Sequence, residues 1–168
     1  MSDRQHKILP TYVWEAPVRI WHWLMAVAMV VLAITGYLIG SPLPSIGGEA
    51  YDHYMFGYIR FAHFAAAYVF AVTFVLRVVW AFFGNRYSRE IFLVPLKMFT
   101  PSWWSGFIKQ TMHYLFLRRE VQPWLGHNPL AMSAMFFMYV LGTVFMICTG
   151  FALYGEGLGM HSWAYTMF

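Results

Sequence analysis

Charged residues and cysteine are both scarce in this sequence of 168 residues. Lys, Arg, Asp and Glu together make up 11% of the chain, whereas a soluble domain averages about 25%. Water is therefore excluded as the main solvent of the fold. The single cysteine, Cys148, excludes an internal disulfide and a metal site that needs several thiolates. Because Cys148 lies within an apolar run, we expect it to be a small side chain in the core.

Apolar residues take the place of the missing charges, with 60% of the chain hydrophobic and 21% aromatic. Three runs that carry at most one charge are each long enough to cross the hydrocarbon core of a bilayer, which needs about 20 residues. Because a backbone in lipid must satisfy its own hydrogen bonds, each run is predicted to be helical. The sequence thus predicts an all-α integral membrane protein, a helical bundle forming one domain over residues 1–168, with transmembrane helices at about 20–40, 60–83 and 131–154.

The basic residues are concentrated in two segments. Three precede the first predicted span and six lie between the second and third spans: Arg4, Lys7 and Arg19, then Arg86, Arg89, Lys97, Lys109, Arg118 and Arg119. Cytoplasmic segments of membrane proteins carry an excess of Lys and Arg. We therefore expect a cytoplasmic N-terminus and a cytoplasmic middle segment. Since these residues flank membrane spans, lipid is the expected partner and nucleic acid is not.

The middle segment contains a helical pattern of its own. Five apolar residues recur at helical spacing, while polar residues lie elsewhere on the wheel; the apolar set is Trp104, Phe107, Ile108, Met112 and Leu115. This pattern predicts an amphipathic helix over about 102–117 that lies on the cytoplasmic surface of the membrane. A loop that only touches the bilayer is the alternative.

Two histidines lie inside the first two apolar runs, His22 and His63. An imidazole in lipid-spanning sequence is costly without a partner and is therefore a functional candidate. Small residues share or adjoin the helix face of each histidine: Ala26, Ala33 and Gly36 for His22, and Ala66 and Ala67 for His63. A low wall beside an imidazole suits a flat macrocycle, so the pattern favours axial ligation of haem iron. Small residues also favour close helix packing, and periodicity alone leaves both interpretations open.

The two histidines are expected at different depths. If the first helix begins in the cytoplasm and the second outside, His22 lies near the inner boundary and His63 near the outer one. Helical rise then separates them by roughly 20–25 Å. Such ligands cannot share one iron, but they can serve two haems that form an electron path. The other histidines lie in polar or boundary segments, where we expect them to be solvated or to donate hydrogen bonds.

Arg77 is the only charge between residues 61 and 83, in the second apolar run. It returns to the helix face of His63 about 21 Å further along the axis, at the expected level of His22. An arginine inside a membrane needs an anionic or polar partner. We expect Arg77 to contact a haem propionate or a quinone. The alternative is a side chain that extends to the inner surface of the membrane.

Several long strings occur in the order typical of one protein family: "YVWEAPVRIWHW", "TGYLIGSPLP", "GYIRFAHF", "GNRYSREIFLVP", "GHNPLAMSAMFF" and "FMICTGFALYGE". From about Tyr12 onward the chain resembles the b-type cytochrome subunit of membrane-bound nickel–iron uptake hydrogenases, a diheme cytochrome b family. The resemblance implies an electron-transfer and anchor subunit in the bacterial inner membrane. Its implied partners are the iron–sulfur small subunit and the nickel–iron large subunit of a periplasmic hydrogenase.

The resemblance also implies cofactors and site residues. Two haem b groups are expected in a full-length family member, with quinone as the electron acceptor near the cytoplasmic side. Carried over by position, the ligand of the inner haem falls on His22 and that of the outer haem on His63. The chain is not expected to perform hydrogen chemistry itself, because it lacks the cysteine ligands of a nickel–iron centre.

The sequence departs from the family pattern at its C-terminal end. Family members have a fourth helix that supplies the remaining histidine ligands, whereas this sequence stops at Phe168. We expect a missing C-terminal portion, or another subunit, to complete the ligand sets. Two other functions stay open: a purely structural membrane anchor without functional haem, and the cytochrome b subunit of a formate dehydrogenase.

Overall fold

The computed structural model describes residues 12–42, 54–120 and 123–157, and within these ranges every regular element is helical. Arg4, Lys7 and Phe168, which figure in the sequence analysis, lie outside the described residues. The elements in chain order are α1 (Ala16–Gly40), α2 (Met55–Phe83), α3 (Arg86–Arg89), α4 (Val94–Lys97), α5 (Pro101–Tyr114), α6 (Pro129–Ala134), a π-helical segment (Met135–Leu141) and α7 (Gly142–Gly157).

The three predicted spans are confirmed as helices that are long and apolar enough to cross a membrane: α1, α2 and the continuous stretch Pro129–Gly157. Each begins a few residues before the predicted start. Prolines in the first turn account for two of these starts, because a proline there loses no helical hydrogen bond; they are Pro17 in α1 and Pro129 in α6. The third span is not uniformly α-helical, since its π-helical segment widens the helix midway.

The first two spans form an antiparallel pair, and the core lies between this pair and the neighbouring elements. Met25 and Ala28 of α1 pack with Phe70 and Phe74 of α2 in one buried cluster. Most other large apolar side chains of the spans are exposed, as lipid-facing surfaces require. Cys148 is exposed on α7, so the expectation of a buried core cysteine is wrong. A face toward lipid leaves a cysteine accessible, and hydropathy alone does not distinguish that face from the core.

The amphipathic helix predicted at 102–117 is α5, which ends three residues earlier, at Tyr114. It packs onto the third span through a residue without a side chain: a Cβ at Gly106 would lie 3.1 Å from both the Pro129 Cγ atom and the Trp124 ring. Trp104, Ile108 and Met112 of the predicted apolar row are exposed, whereas Phe107 is half-buried and packs against a buried cluster. An exposed apolar row suits contact with lipid, and its position on the membrane surface stays a prediction.

A single carboxylate oxygen ties the start of α1 to the end of α2. The Oε2 atom of Glu15 accepts hydrogen bonds from Trp80 Nε1 at 3.0 Å, the Asn85 backbone N–H at 3.0 Å and Ser88 Oγ at 2.8 Å. We call this the Glu15 clamp. Gly84 permits it, because a Cβ there would lie 2.6 Å from Trp80 Nε1 and 2.8 Å from Glu15 Oε2.

The close approach at Gly84 generates a stability prediction. Gly84→Ala is expected to destabilise the fold by about 1–3 kcal/mol, because the added methyl group overpacks the Glu15 clamp. The backbone at Gly84 is extended, with φ −75°, so the effect is steric and not conformational. The measurement is the midpoint of unfolding in mixed micelles, with unfolding monitored by circular dichroism.

Gly57→Ala in the same protein is the matched control. A Cβ at Gly57 of α2 meets no atom within 4 Å, and alanine is the better helix former. We expect an unchanged or slightly higher midpoint for this variant. Equal midpoints for the two alanine variants would contradict the steric role of Gly84.

The Glu15 clamp also predicts a pH dependence. The hydrogen bond from the Asn85 backbone, aided by those from Ser88 and Trp80 and opposed by burial, holds the pKa of Glu15 below its ordinary value of 4.5. A pKa that folding lowers gives stability that is complete above the unfolded value and is lost as the pH falls through the folded one. Wild type is therefore expected to be more stable than Glu15→Gln at neutral pH, and this advantage is expected to shrink below about pH 4.5.

The measurement is the free energy of unfolding of both proteins in mixed micelles across this pH range. Other carboxylates titrate equally in the two proteins, so the difference isolates Glu15. An advantage of the same size at neutral and acid pH would refute the prediction.

Candidate functional site

A cavity lies between α1, α2 and α7, at the end of the bundle that carries His63. It holds about 600 Å³, within the range of about 300–1,000 Å³ typical of cofactor sites. His63 lines it from α2. Small residues lie on both facing helices, Ala33 and Gly36 on α1 and Gly150 on α7, among larger apolar side chains of the same two helices. The imidazole therefore faces a broad, chiefly apolar space.

The His63 ring is held against α1. Its Nδ1 atom lies 2.8 Å from the Oγ1 atom of Thr35, and Thr35 itself is buried. The next residue, Gly36, lies beneath the ring, since a Cβ there would stand 3.5 Å from His63 Cε1. Sequence reasoning missed Thr35. The available signal was a hydroxyl in a lipid-spanning helix at the level of a histidine on the next helix.

The small residues predicted to flank the histidines divide into two groups. Ala33, Gly36 and Ala67 line the cavity. Ala66 is buried but does not line it, and Ala26 is half-buried toward the other end of α1. A flat ligand beside His63 would thus lie along Ala33, Gly36 and Ala67, while Ala66 serves helix packing.

His22 lies at the opposite end of the bundle. Thr35, which contacts His63, follows His22 by thirteen residues on α1, a rise of about 20 Å. The same end is marked by the ring contact of Trp21 with Trp80, at 5.8 Å between centroids. One iron cannot reach both imidazoles across this distance. We call the two ends of the bundle the His22 end and the His63 end.

The surroundings of His22 differ from those of His63. The His22 side chain is exposed and meets the ring of its neighbour Trp23 edge-on, at 5.5 Å between centroids. It does not line the cavity. An exposed imidazole is sterically free to bind a ligand on this surface of α1, but no wall of a second helix encloses it among the described residues. Ligation by His22 stays a prediction.

Arg77 is buried near the His22 end, with 6% of its surface exposed. Its Nη2 atom donates to the backbone carbonyl of Ser88 at 2.6 Å, and its guanidinium lies 5.2 Å from the ring centre of Phe92. The guanidinium thus reaches the backbone of α3, just beyond the end of α2, and both interpretations of Arg77 stay predictions. The Nη1 atom has no hydrogen-bond partner among the described residues. Because a buried donor without a partner is costly, this atom is available to an anion or a carbonyl oxygen.

A second pair of buried polar groups lies close by. The backbone N–H of His127 donates to the carboxylate of Glu90, and the His127 ring packs on Trp14 at 4.5 Å between centroids. Burial raises the pKa of Glu90, and burial followed by the charge of Arg77 lowers the pKa of His127. Each shift disfavours the charged form of its group. His127 thus lies in a partly buried boundary segment, in keeping with its position in the sequence, but its Nδ1 atom has no partner among the described residues.

The donor set fits a haem better than a bare metal ion. In the described part of the chain no three His, Cys, Asp or Glu side chains are grouped to hold a metal. A porphyrin supplies four ligands itself and needs only an axial imidazole from the protein. His63 meets this requirement, because its Nδ1 atom is engaged with Thr35 while its Nε2 atom takes no part in that contact.

Comparison with known proteins places these features in a family. The profile of the family described as prokaryotic cytochrome b561 matches residues 13–167. A probable Ni/Fe-hydrogenase B-type cytochrome subunit of Azotobacter vinelandii is 52% identical over 99% of this chain and 69% of its own length. The protein of that name from Cupriavidus necator is 53% identical over 96% of this chain and 65% of its own.

A third relative, the probable Ni/Fe-hydrogenase 1 B-type cytochrome subunit of Escherichia coli strain K12, is 52% identical over 93% of this chain and 65% of its own length. The chain thus spans about two thirds of the length of these relatives. The match with the family profile covers all three membrane spans, both intramembrane histidines and the cavity between the helices. The chain therefore belongs to the prokaryotic cytochrome b561 family and is a haem b-binding integral membrane protein.

Proposed function

We propose that the chain is the electron-transfer and membrane-anchor subunit of a periplasmic nickel–iron hydrogenase, passing electrons through haem b to quinone. The observation that carries this proposal is the imidazole of His63 lining a chiefly apolar cavity of about 600 Å³, which Ala33, Gly36 and Gly150 also line. The names of the relatives support a hydrogenase as the partner and favour it over a formate dehydrogenase. A purely structural anchor would need neither the cavity nor a histidine facing it.

The chain's own residues hold the cofactors and set their separation. His63 would hold one haem iron in the cavity at the His63 end, and His22 would hold a second at the other end, about 20 Å away along α1. Haem b supplies one-electron chemistry when it is bound. The helices satisfy their own backbone hydrogen bonds within the bilayer. They therefore hold the two sites at a fixed separation in an environment without water.

Orientation follows from the basic residues. Arg86, Arg89 and Lys97 lie just beyond the end of α2, at the His22 end of the bundle. An excess of positive charge favours the cytoplasmic side. In the proposed arrangement the chain lies in the bacterial inner membrane with its N-terminus in the cytoplasm. The His63 end then faces the periplasm and the iron–sulfur small subunit of the hydrogenase, with the nickel–iron large subunit beyond it.

The His22 end supplies the polar groups that a quinone needs. Among the described residues, Arg77 offers an Nη1 donor without a partner, and Glu90 (buried) and His127 (half-buried) are protonatable groups close by. Quinone reduction consumes protons as well as electrons, so protonatable groups suit the electron-accepting end. Arg77 contacts the quinone or a propionate of the haem held by His22.

Removal of each histidine tests the haem assignment. His63→Ala and His22→Ala are each expected to lose one of the two haems, about half of the b-type haem per protein, because an iron without its axial imidazole is not retained. The measurement is the pyridine haemochrome content of the membrane complex. His113→Ala is the control. His113 lies on α5 and does not line the cavity, and its Nδ1 atom is 3.0 Å from the carbonyl oxygen of Arg118.

Full haem content in both variants would contradict haem ligation by the two histidines and would leave a structural membrane anchor as the function. Hydrogen-driven quinone reduction gives an independent readout, because a conduit loses it in His63→Ala whereas an anchor retains it.

Neutralising Arg77 tests the assignment of the His22 end. Arg77→Gln is expected to lower the potential of the haem held by His22, because the loss of a buried positive charge favours oxidised iron. A change of about tenfold in the one-electron equilibrium corresponds to about 59 mV. We also expect slower quinone reduction. The measurement combines a potentiometric titration of the b-type absorbance with a quinone assay.

Arg60→Gln on the same helix is the matched control. Arg60 is exposed at the opposite end of α2, with its guanidinium 4.8 Å from the ring centre of Phe56. If Arg77→Gln leaves both the potential of this haem and quinone turnover at wild-type values, the role proposed for Arg77 is wrong.

A further inference from the structure

The contact between Thr35 and His63 determines which nitrogen of the imidazole carries the proton. A threonine hydroxyl has one hydrogen and two lone pairs. The Oγ1 atom of Thr35 lies 2.6 Å from the backbone carbonyl oxygen of Val31, and a carbonyl only accepts, so the single hydrogen points there. Toward the Nδ1 atom of His63, 2.8 Å away, Thr35 can then only accept. This hydrogen-bond pattern assigns the ring proton to Nδ1 and leaves the lone pair on Nε2 for a ligand.

We infer that Thr35 is the positioning residue of the His63 ligand: its hydroxyl accepts the Nδ1 proton, fixes Nε2 as the iron-binding nitrogen and orients the ring over Gly36. This inference rests on the proposed ligation by His63. Imidazoles that ligate metals donate their other ring N–H to an acceptor, which fixes the tautomer and makes the ligand more basic. Thr35 supplies that acceptor from α1 to a ligand on α2.

Two features distinguish this arrangement from ordinary helix packing. Thr35 does not need His63 to satisfy its own hydroxyl, because the Val31 carbonyl already accepts the hydrogen. His63 does need an acceptor, since the rest of its surroundings in the cavity is chiefly apolar. Gly36 adds the steric part, because the ring rests on a residue with no side chain of its own. It is therefore the imidazole that requires this hydrogen bond, and the orientation of the imidazole determines where iron binds.

A hydrogen bond from Nδ1 gives the imidazole more anionic character, which favours oxidised iron. Thr35→Val removes the acceptor and keeps the shape of the side chain. It is expected to raise the potential of the haem held by His63, changing its one-electron equilibrium by about two- to tenfold, at most about 59 mV. The low-spin ferric resonance of that haem should shift as well, because the imidazole is no longer fixed in orientation.

The measurement uses the whole membrane complex, with potentiometric titration and electron paramagnetic resonance at low temperature. Thr35→Ser keeps the hydroxyl and should restore both wild-type values. Thr73→Val is the matched control: Thr73 is a buried threonine on α2 that does not line the cavity, and its replacement should leave the potential and the resonance unchanged.

The outcomes separate this inference from the proposed function. Loss of one haem in His63→Ala, together with wild-type potential and resonance in Thr35→Val, overturns the role of Thr35 and leaves the ligand assignment intact. Full haem content in His63→Ala overturns the ligand assignment itself. Should Thr35→Val fail to accumulate, Thr35→Cys provides the test, because a thiol is a weak acceptor; an unchanged potential in that variant also refutes the inference.

Discussion

Lipid offers no hydrogen bonds, and this constraint governs every polar side chain in the three spans. The hydroxyl of Thr149 returns to the Phe145 carbonyl of its own helix at 3.0 Å, and Arg77 reaches the carbonyl of Ser88. His63 satisfies the same requirement with one nitrogen only, through Thr35. The remaining nitrogen is the one polar atom of this ring that a ligand can use. The chemistry of the cavity thus depends on the imidazole nitrogen that the contact with Thr35 leaves unused.

The two ends of the bundle differ in kind as well as in depth. The His63 end is apolar, with a cavity lined chiefly by apolar side chains, whereas the His22 end gathers Arg77, Glu90 and His127 with unpartnered polar atoms among the described residues. An apolar site suits a redox group whose charge changes by one electron and takes no proton. A polar site suits an acceptor that takes protons. This asymmetry matches the direction of electron flow in the proposed function.

The sequence was sufficient for the three spans, because they follow from local composition and helical period. It assigned Ala33 and Gly36 to the helix face of His22, whereas both line the cavity that His63 lines. Partners from distant parts of the chain could not be derived. Nothing in the periodicity of α1 associates Thr35 with a residue 28 positions later, and the carbonyl that binds Arg77 depends on a turn after the helix. The π-helical segment Met135–Leu141 and the exposed face of Cys148 were equally inaccessible, because average hydropathy carries no information about helix register or orientation.

The Glu15 clamp has a consequence for biogenesis. Its acceptor lies ahead of the first span, whereas its donors, Trp80, Asn85 and Ser88, follow it by 65, 70 and 73 positions. A ribosome therefore delivers the carboxylate before any of these three donors has been translated. The helical hairpin of α1 and α2 together with α3 is thus the smallest nascent unit that contains all three donors. If an insertion machinery released α1 alone into the bilayer, Glu15 would still lack all three of these hydrogen bonds.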